Sequence, residues 1–254
     1  MSNDTKNTKR PEIAADDWGF SKGINDGILE LAQDGIIQVV SLIANSPHLE
    51  YRLDELQKVK DIKLAWHMNF SAGKPIEKTK DGSCLIDPKT QGFHSLITFI
   101  WHWLRGNISE AELKYEARAQ IKRLKNLVRN IDEADGHHHI HLVPGLLKSL
   151  ESIYREFEVP ILRLPMERTH LPSFLGSQMI LWKKNKYPNL KMRVYGYPQT
   201  RHFVNSNTFL ESSPDGRPLL VHPAAYNDFS GNPYGDPLCE ERVVQYNLLR
   251  EWFL

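Results

Sequence analysis

The sequence predicts an α/β protein built as a closed (β/α)7 or (β/α)8 barrel, on three observations. Seven short β-rich runs alternate with longer helical patterns along the 254 residues, which implies βα units on a mainly parallel sheet. No composition shift or Pro/Gly/Ser linker divides the chain, so residues 11–254 read as one domain. Several of the β-rich runs end in His or Asp, as expected where a barrel assembles a site from the carboxyl ends of its strands. Periodicity alone does not separate a barrel from an open sheet, but the number of repeats fits the barrel better.

The elements follow in order. Residues 1–10 form a solvated, flexible tail without the apolar core of a signal peptide. The predicted strands are Glu12–Ala15, Gln38–Ala44, Ile62–His67, Gly136–His141, Pro160–Leu164, Lys191–Tyr195 and Leu219–His222. The first helix, Lys22–Gln33, carries Ile24, Ile28 and Leu31 on one face and stops at Asp34-Gly35. Ser109–Asn130 is the clearest helix, with Leu113, Ala117, Ile121, Leu124 and Val128 at helical spacing. Ser109 and Glu112 suggest a capping box at its start. Leu146–Phe157 and Glu240–Phe253 complete the set. Phe99–Leu104 reads as a helical stretch whose Trp101 and Trp103 face the core. Lys74–Gly92, rich in charge, Gly and Pro, reads as a long loop of the kind that rims active sites.

Bulk properties narrow the function. Thirty-two Lys and Arg balance 31 Asp and Glu, which argues against a nucleic-acid partner. No apolar run reaches the roughly 18–20 residues of a membrane span. Two distant cysteines, Cys84 and Cys239, suggest a reducing, cytoplasmic environment and no disulfide framework. Oligomeric state stays open, with a homodimer among the options.

Four motifs carry chemistry. Ala15-Asp16-Asp17-Trp18-Gly19 follows the first strand, and adjacent carboxylates on an extended chain point to different sides, so one can bind a metal while the other handles a proton. Taken alone, the pair reads more readily as a turn in which Asp caps the following helix. His67 ends an apolar strand in Trp66-His67-Met68-Asn69. Asp135-Gly136-His137-His138-His139-Ile140-His141 is the strongest signal, because a run of three His is improbable with only 11 His in the chain. If it is a strand, His137, His139 and His141 share one face and His138 points away. His222, in Leu220-Val221-His222-Pro223-Ala224, ends a late strand. One carboxylate with two imidazoles leaves coordination positions open, as a catalytic rather than a structural metal site does.

Taken together, these motifs resemble the YdjC-like family of carbohydrate deacetylases, which includes the chito-oligosaccharide deacetylases. Ala15 to Ser21 is similar to its "NADDFG-S" opening, His67-Met68-Asn69 to "HLN", and Asp135 to Pro144 to "DSHQHVHLLP". Glu116 to Gln120 resembles the "EL-AQI" helix, Arg163-Leu164-Pro165 "R-P", and His222-Pro223 "HPG". The chain departs from the pattern at Ala14, Trp18 and Ala224, where the family has Asn, Phe and Gly.

The resemblance implies a distorted TIM-like (β/α) barrel that hydrolyses the acetyl amide of an N-acetylated sugar. It implies one divalent metal ion, with Zn²⁺ favoured over Mg²⁺, held by Asp17, His67 and His137. By the same resemblance Asp16 is the general base and His222 the general acid, while His139, His141 and Arg163 line the site or orient ligands. Tyr226 and Phe229 are placed to line a sugar site. The partner is then a small carbohydrate. The competing readings are a metal-dependent phosphoesterase, which calls for more carboxylates near the histidines than Asp135, and a sugar- or metal-binding protein without activity.

Overall fold

A computed structural model of the chain describes residues 10–80, 82–167, 187, 190–198, 205–211, 213, 216–228 and 239–254. Phe229 and most of the N-terminal tail lie outside these residues.

Seven strands close into a barrel in sequence order: β1 (Ile13–Trp18), β2 (Val39–Leu42), β3 (Lys63–Met68), β4 (Glu133–Gly136), β5 (Leu162–Glu167), β6 (Met192–Tyr197) and β7 (Leu219–Val221). Every neighbouring pair is parallel, and β1 pairs with both β2 and β7. The helices described are α1 (Lys22–Gln33), α2 (Leu53–Leu56), α3 (Leu96–Leu104), α4 (Glu110–Leu127), α5 (Leu146–Glu156), α6 (Ser206–Glu211) and α7 (Cys239–Phe253).

Two apolar clusters follow from strand alternation. Ala14, Val39, Ala65, Tyr195 and Leu220 pack together, each one residue out of step with side chains that face the helices, such as Ile13, Ala15, Val40 and Trp66. The larger cluster joins the outside of the barrel to the helices. There α1 buries Ile24, Ile28, Leu29 and Leu31, each worth roughly 1.5–3 kcal/mol on burial. Ser21 caps α1 by accepting the Ile24 N–H. α4 buries Leu113, Ala117, Ile121 and Leu124, the stripe read from the sequence.

Three expectations need correction. Ser109 stands at the N-cap of α4, but its side chain makes no capping hydrogen bond. In α3 only Phe99 is buried. Trp101 is half-exposed beneath the Arg105 guanidinium and does not face the core, whereas Trp103 is partly buried against it while its indole donates to the Pro144 carbonyl. The third concerns the histidine run. Here β4 begins at Glu133 and ends at Gly136, and His137–Leu142 form a 3-10 turn.

That turn is sharp. His138 and His139 both take left-handed backbone angles, with φ near +53° and +52°, a conformation in which His is tolerated better than most side chains. The turn folds His141 back over Gly136, where a Cβ would come within 2.9 Å of the His141 ring. The expected strand alternation of His137, His139 and His141 therefore does not occur.

The loop over Lys74–Gly92 contains no helix or strand among its described residues, apart from an isolated bridge at Ile86. α4 anchors it, because the buried Glu116 carboxylate accepts the Ile76 and Glu77 N–H groups at 3.1 Å. One turn on, Gln120 bonds both the N–H and the carbonyl of Asn69, two residues beyond His67. The helix segment Glu116–Gln120 thus ties the end of β3 to the loop.

Candidate metal centre

The inner apolar layer predicts where the site begins. Two residues beyond Ala14, Val39, Ala65 and Leu220, on the same inward face, stand Asp16, Ser41, His67 and His222. On β4 the same step leads from Glu133 to Asp135, and His67 sits directly beside Asp135 in the β3–β4 register. All of these are buried. One layer closes the barrel and the next carries the chemistry.

Asp17 breaks this alternation. Its φ is +72°, and the β1–β2 register slips between Ala15 and Trp18. The irregularity turns Asp17 into the site beside Asp16, so the two carboxylates share one space instead of pointing to opposite sides. Asp17 Oδ1 lies 3.2 Å from His67 Nε2 and 3.1 Å from His137 Nδ1. One ligand atom from each of Asp17, His67 and His137 falls within 4.8 Å of the others, and the same is true of Asp16, His67 and Asp135.

Electrostatics load the first group with negative charge, which a proton on His67 balances and an incoming cation would displace. Burial opposes a charge on Asp17, but Arg242, 2.6 Å from its Oδ2, and His137 hold its carboxyl well below the usual range. Burial also opposes a charge on His67, yet the Asp135 and Asp16 carboxylates outweigh it and raise this imidazole well above its ordinary value. His67 Nδ1 meets Asp135 Oδ1 at 2.8 Å, the carboxylate–histidine pairing that orients a metal-binding imidazole and leaves Nε2 for the ion. The donor set of one carboxylate and two imidazoles suits a divalent transition metal. Asp16 Oδ2, buried and without a hydrogen-bond partner, is a further oxygen that an ion or its water can satisfy. The residues fit a metal.

The other sequence-predicted residues take distinct places. Asp16 Oδ1 accepts from Ser41 Oγ at 2.5 Å and from Arg163 Nη2 at 3.0 Å, leaving Oδ2 open. Arg163 also pairs with Asp135 at 2.5 Å. His222 is buried close enough to Asp17, Arg242, Asp16 and His67 to feel their charges, and burial lowers its pKa. Burial likewise pushes His139 down to about 4, a neutral imidazole near Asp16 and Asp135. His141 is fully buried with Nε2 3.0 Å from the Arg163 carbonyl oxygen. His138 reaches Ser71 Oγ at 3.0 Å. Tyr226 donates to Asp26 of α1 at 2.9 Å, and its ring is half-exposed.

Sequence reasoning missed Ser41, Asp135 as the partner of His67, and Arg242. The two-residue step from the apolar layer points to the first two. Arg242 lies on the buried stripe of α7 with Gln245, Tyr246 and Leu249, where a polar residue at a core-facing position is the signal.

A family model described as YdjC-like protein matches residues 12–251. The chain belongs to this family. Among curated proteins it is 26% identical over 174 residues to a carbohydrate deacetylase of Vibrio cholerae, covering 65% of this chain and 66% of that one. It is 29% identical over 156 residues to the carbohydrate deacetylase of Danio rerio, covering 61% and 49%. Over 157 residues it is 29% identical to that of Oceanobacillus iheyensis, covering 60% and 64%. The matched segments span less than two thirds of these relatives. Among solved structures, a putative cellobiose-phosphate cleavage protein from Enterococcus faecalis shares the fold, with a TM-score of 0.76, 20% identity and coverage of 95% of this chain and 90% of that one.

Two departures from the family pattern now have physical accounts. Trp18 is fully buried and its indole donates to the Leu49 carbonyl at 2.9 Å, so the larger ring finds both space and a partner. Ala224 is not among the residues with positive φ, so glycine's freedom is not required there.

Proposed function

We propose that the chain is a metal-dependent hydrolase that removes the acetyl group from an N-acetylated sugar. The observation that carries this reading is the buried group of Asp17, His67 and His137, with Asp16 alongside, on the scaffold of a family whose curated relatives are named carbohydrate deacetylases. Asp17, His67 and His137 hold one divalent ion, for which Zn²⁺ suits the imidazoles better than Mg²⁺ does. When bound, that ion supplies Lewis-acid polarisation of the acetyl carbonyl and of water.

The protein's own groups do the rest. Asp16 takes the proton of the attacking water on its open Oδ2, while Ser41 and Arg163 fix the other oxygen. His222 delivers a proton to the departing nitrogen; because burial lowers its pKa, its protonated form is scarce and correspondingly acidic. The products are acetate and a sugar amine. Arg163 spans Asp16 and Asp135, so base and metal-ligand support are set by one guanidinium. His139 and His141 line and brace the same space, and Tyr226 lies further out, over α1.

The second carboxylate group, Asp16 with Asp135, does not favour a two-metal phosphoesterase. Asp135 already satisfies His67 and Arg163, so it supports a ligand rather than bridging two ions. The decisive assay is acetate release from N-acetylglucosamine oligomers by the purified chain, with metal analysis. One ion per chain with acetate release is expected. A metal-loaded protein that releases no acetate from a broad panel of acetylated sugars would return the site to a binding role.

A further inference from the structure

The last helix reaches the centre with a second buried arginine. Arg242 in α7 is 1% exposed, and its Nη2 meets Asp17 Oδ2 at 2.6 Å. Its backbone carbonyl accepts the Ala224 N–H at 3.1 Å. Three residues further along, Gln245 Oε1 accepts the His222 N–H at 2.8 Å. Residues three apart share a helix face, so one face of α7 touches the end of β1 through Asp17 and the segment after β7 through His222 and Ala224.

The two carboxylate oxygens of Asp17 are thereby given different tasks. Oδ2 is occupied by Arg242, while Oδ1 faces both His67 Nε2 and His137 Nδ1. We propose that Arg242 is a positioning residue that fixes Asp17 as a one-oxygen metal ligand, and that Gln245 independently positions His222. This rests on the metal-dependent reading above.

The consequence is a division of labour along one helix turn. A carboxylate free to rotate could offer both oxygens to the ion and take up a position needed by water or by the acetyl oxygen. With Oδ2 held, Asp17 contributes one ligand atom at a set orientation, and the remaining positions stay open as catalysis requires. The left-handed backbone at Asp17 is what brings its carboxylate within reach of α7, so β1 irregularity and helix charge act on the same side chain. Gln245 holds only a backbone N–H, so it acts on where His222 stands and not on the ion.

The test uses the full chain and reads metal affinity as well as activity. Isothermal titration with Zn²⁺ on the metal-free protein is compared for the native chain, Arg242→Met, Arg242→Lys and Gln245→Met, with near-ultraviolet circular dichroism reporting the folded fraction. Arg242→Met is expected to weaken Zn²⁺ binding about 10–100-fold, the usual consequence of losing a ligand's hydrogen-bonding partner. Arg242→Lys keeps the charge and is expected to recover part of that loss. Gln245→Met is expected to leave Zn²⁺ affinity unchanged while lowering kcat for acetate release. If Arg242→Met is too poorly folded to titrate, Arg242→Lys decides: weaker Zn²⁺ binding than in the native chain supports the hold on Oδ2, and native affinity overturns it. Unchanged or tighter binding in a folded Arg242→Met overturns the proposal for Arg242, and a Gln245→Met protein with native kcat overturns it for Gln245. Absence of Zn²⁺ binding by the native chain would instead defeat the metal-dependent reading itself.

Discussion

The two ends of the barrel use the same kinds of side chain for opposite purposes. At the amino ends of the strands, Glu12 pairs with Lys63 at 2.5 Å and with Arg193 at 2.7 Å, while Glu133 accepts from the Tyr195 hydroxyl at 2.7 Å. The cations are partly exposed, with Lys63 at 42% and Arg193 at 33%, while Glu133 is buried, and each carboxylate has cations or hydroxyls to match. At the carboxyl ends, Asp16, Asp17, Asp135, His67, Arg163 and Arg242 are all at least 96% buried. There one carboxylate oxygen, Asp16 Oδ2, has no hydrogen-bond partner. The apolar layer of Ala14, Val39, Ala65, Tyr195 and Leu220 lies between the two, and Arg163 spans it, with its Nε 3.5 Å from Glu133 Oε2. One end neutralises its charges and closes the barrel. The other concentrates them out of water and leaves one carboxylate oxygen without a hydrogen bond, which costs stability and is worth keeping only where chemistry needs it.

The sharpest break in this comparison comes from Asp16→Asn. If the carboxyl end is built for proton transfer, kcat for acetate release should fall by about 10²–10⁴-fold, while the thermal midpoint changes little, because Asn keeps an acceptor for Ser41 and Arg163 keeps Asp135 as its partner. A variant with near-native turnover would remove Asp16 from the role of base. A smaller effect is expected at Asp135→Asn. Losing the carboxylate that orients His67 should weaken Zn²⁺ binding about 10–100-fold, measured by titration of the metal-free protein, with activity recovered at high metal concentration. Activity that no metal concentration restores would mean that Asp135 does more than orient His67.

How far the sequence disclosed this contrast depends on backbone regularity. Where strands are regular, the reading was close. Ala14 and Leu220 lie in the inner layer, and Asp16 and His222 follow two residues later on the same face. α1 spans the predicted Lys22–Gln33, and α4 buries the predicted stripe. Where the backbone turns left-handed, alternation failed. The +72° φ of Asp17 puts both carboxylates in one space, and the angles of His138 and His139 convert a predicted strand into a turn. None of the three is glycine, and although Asp and His tolerate such angles better than most side chains, their type alone does not announce the irregularity. Arg242 escaped notice for a different reason. Its partner Asp17 is 225 positions away, and periodicity speaks only to neighbours along the chain. The resemblance to the deacetylase pattern named His137 where alternation left three candidates, and among the described residues it is His137 that groups with Asp17 and His67.

The smallest expected effect lies at the amino end, and it completes the contrast. Lys63→Met removes one side of the Glu12 pair but leaves Arg193 on the other Glu12 oxygen. Lys63 is 42% exposed, so solvent screens the pair and its contribution is about 0–1 kcal/mol. Its ammonium stands at the start of β3, whereas His67 stands near the strand's end, four residues on at about 3.3 Å each. A charge change at that distance reaches the site only through Glu12, Arg193, Glu133 and Arg163, and should alter neither Zn²⁺ affinity nor kcat. Chemical denaturation should therefore register a slight loss of stability with catalysis intact, the reverse of Asp16→Asn. If Lys63→Met lowered kcat as strongly as Asp135→Asn, the run of charges from Glu12 through Arg193 and Glu133 to Arg163 would have to be treated as one network acting on the site.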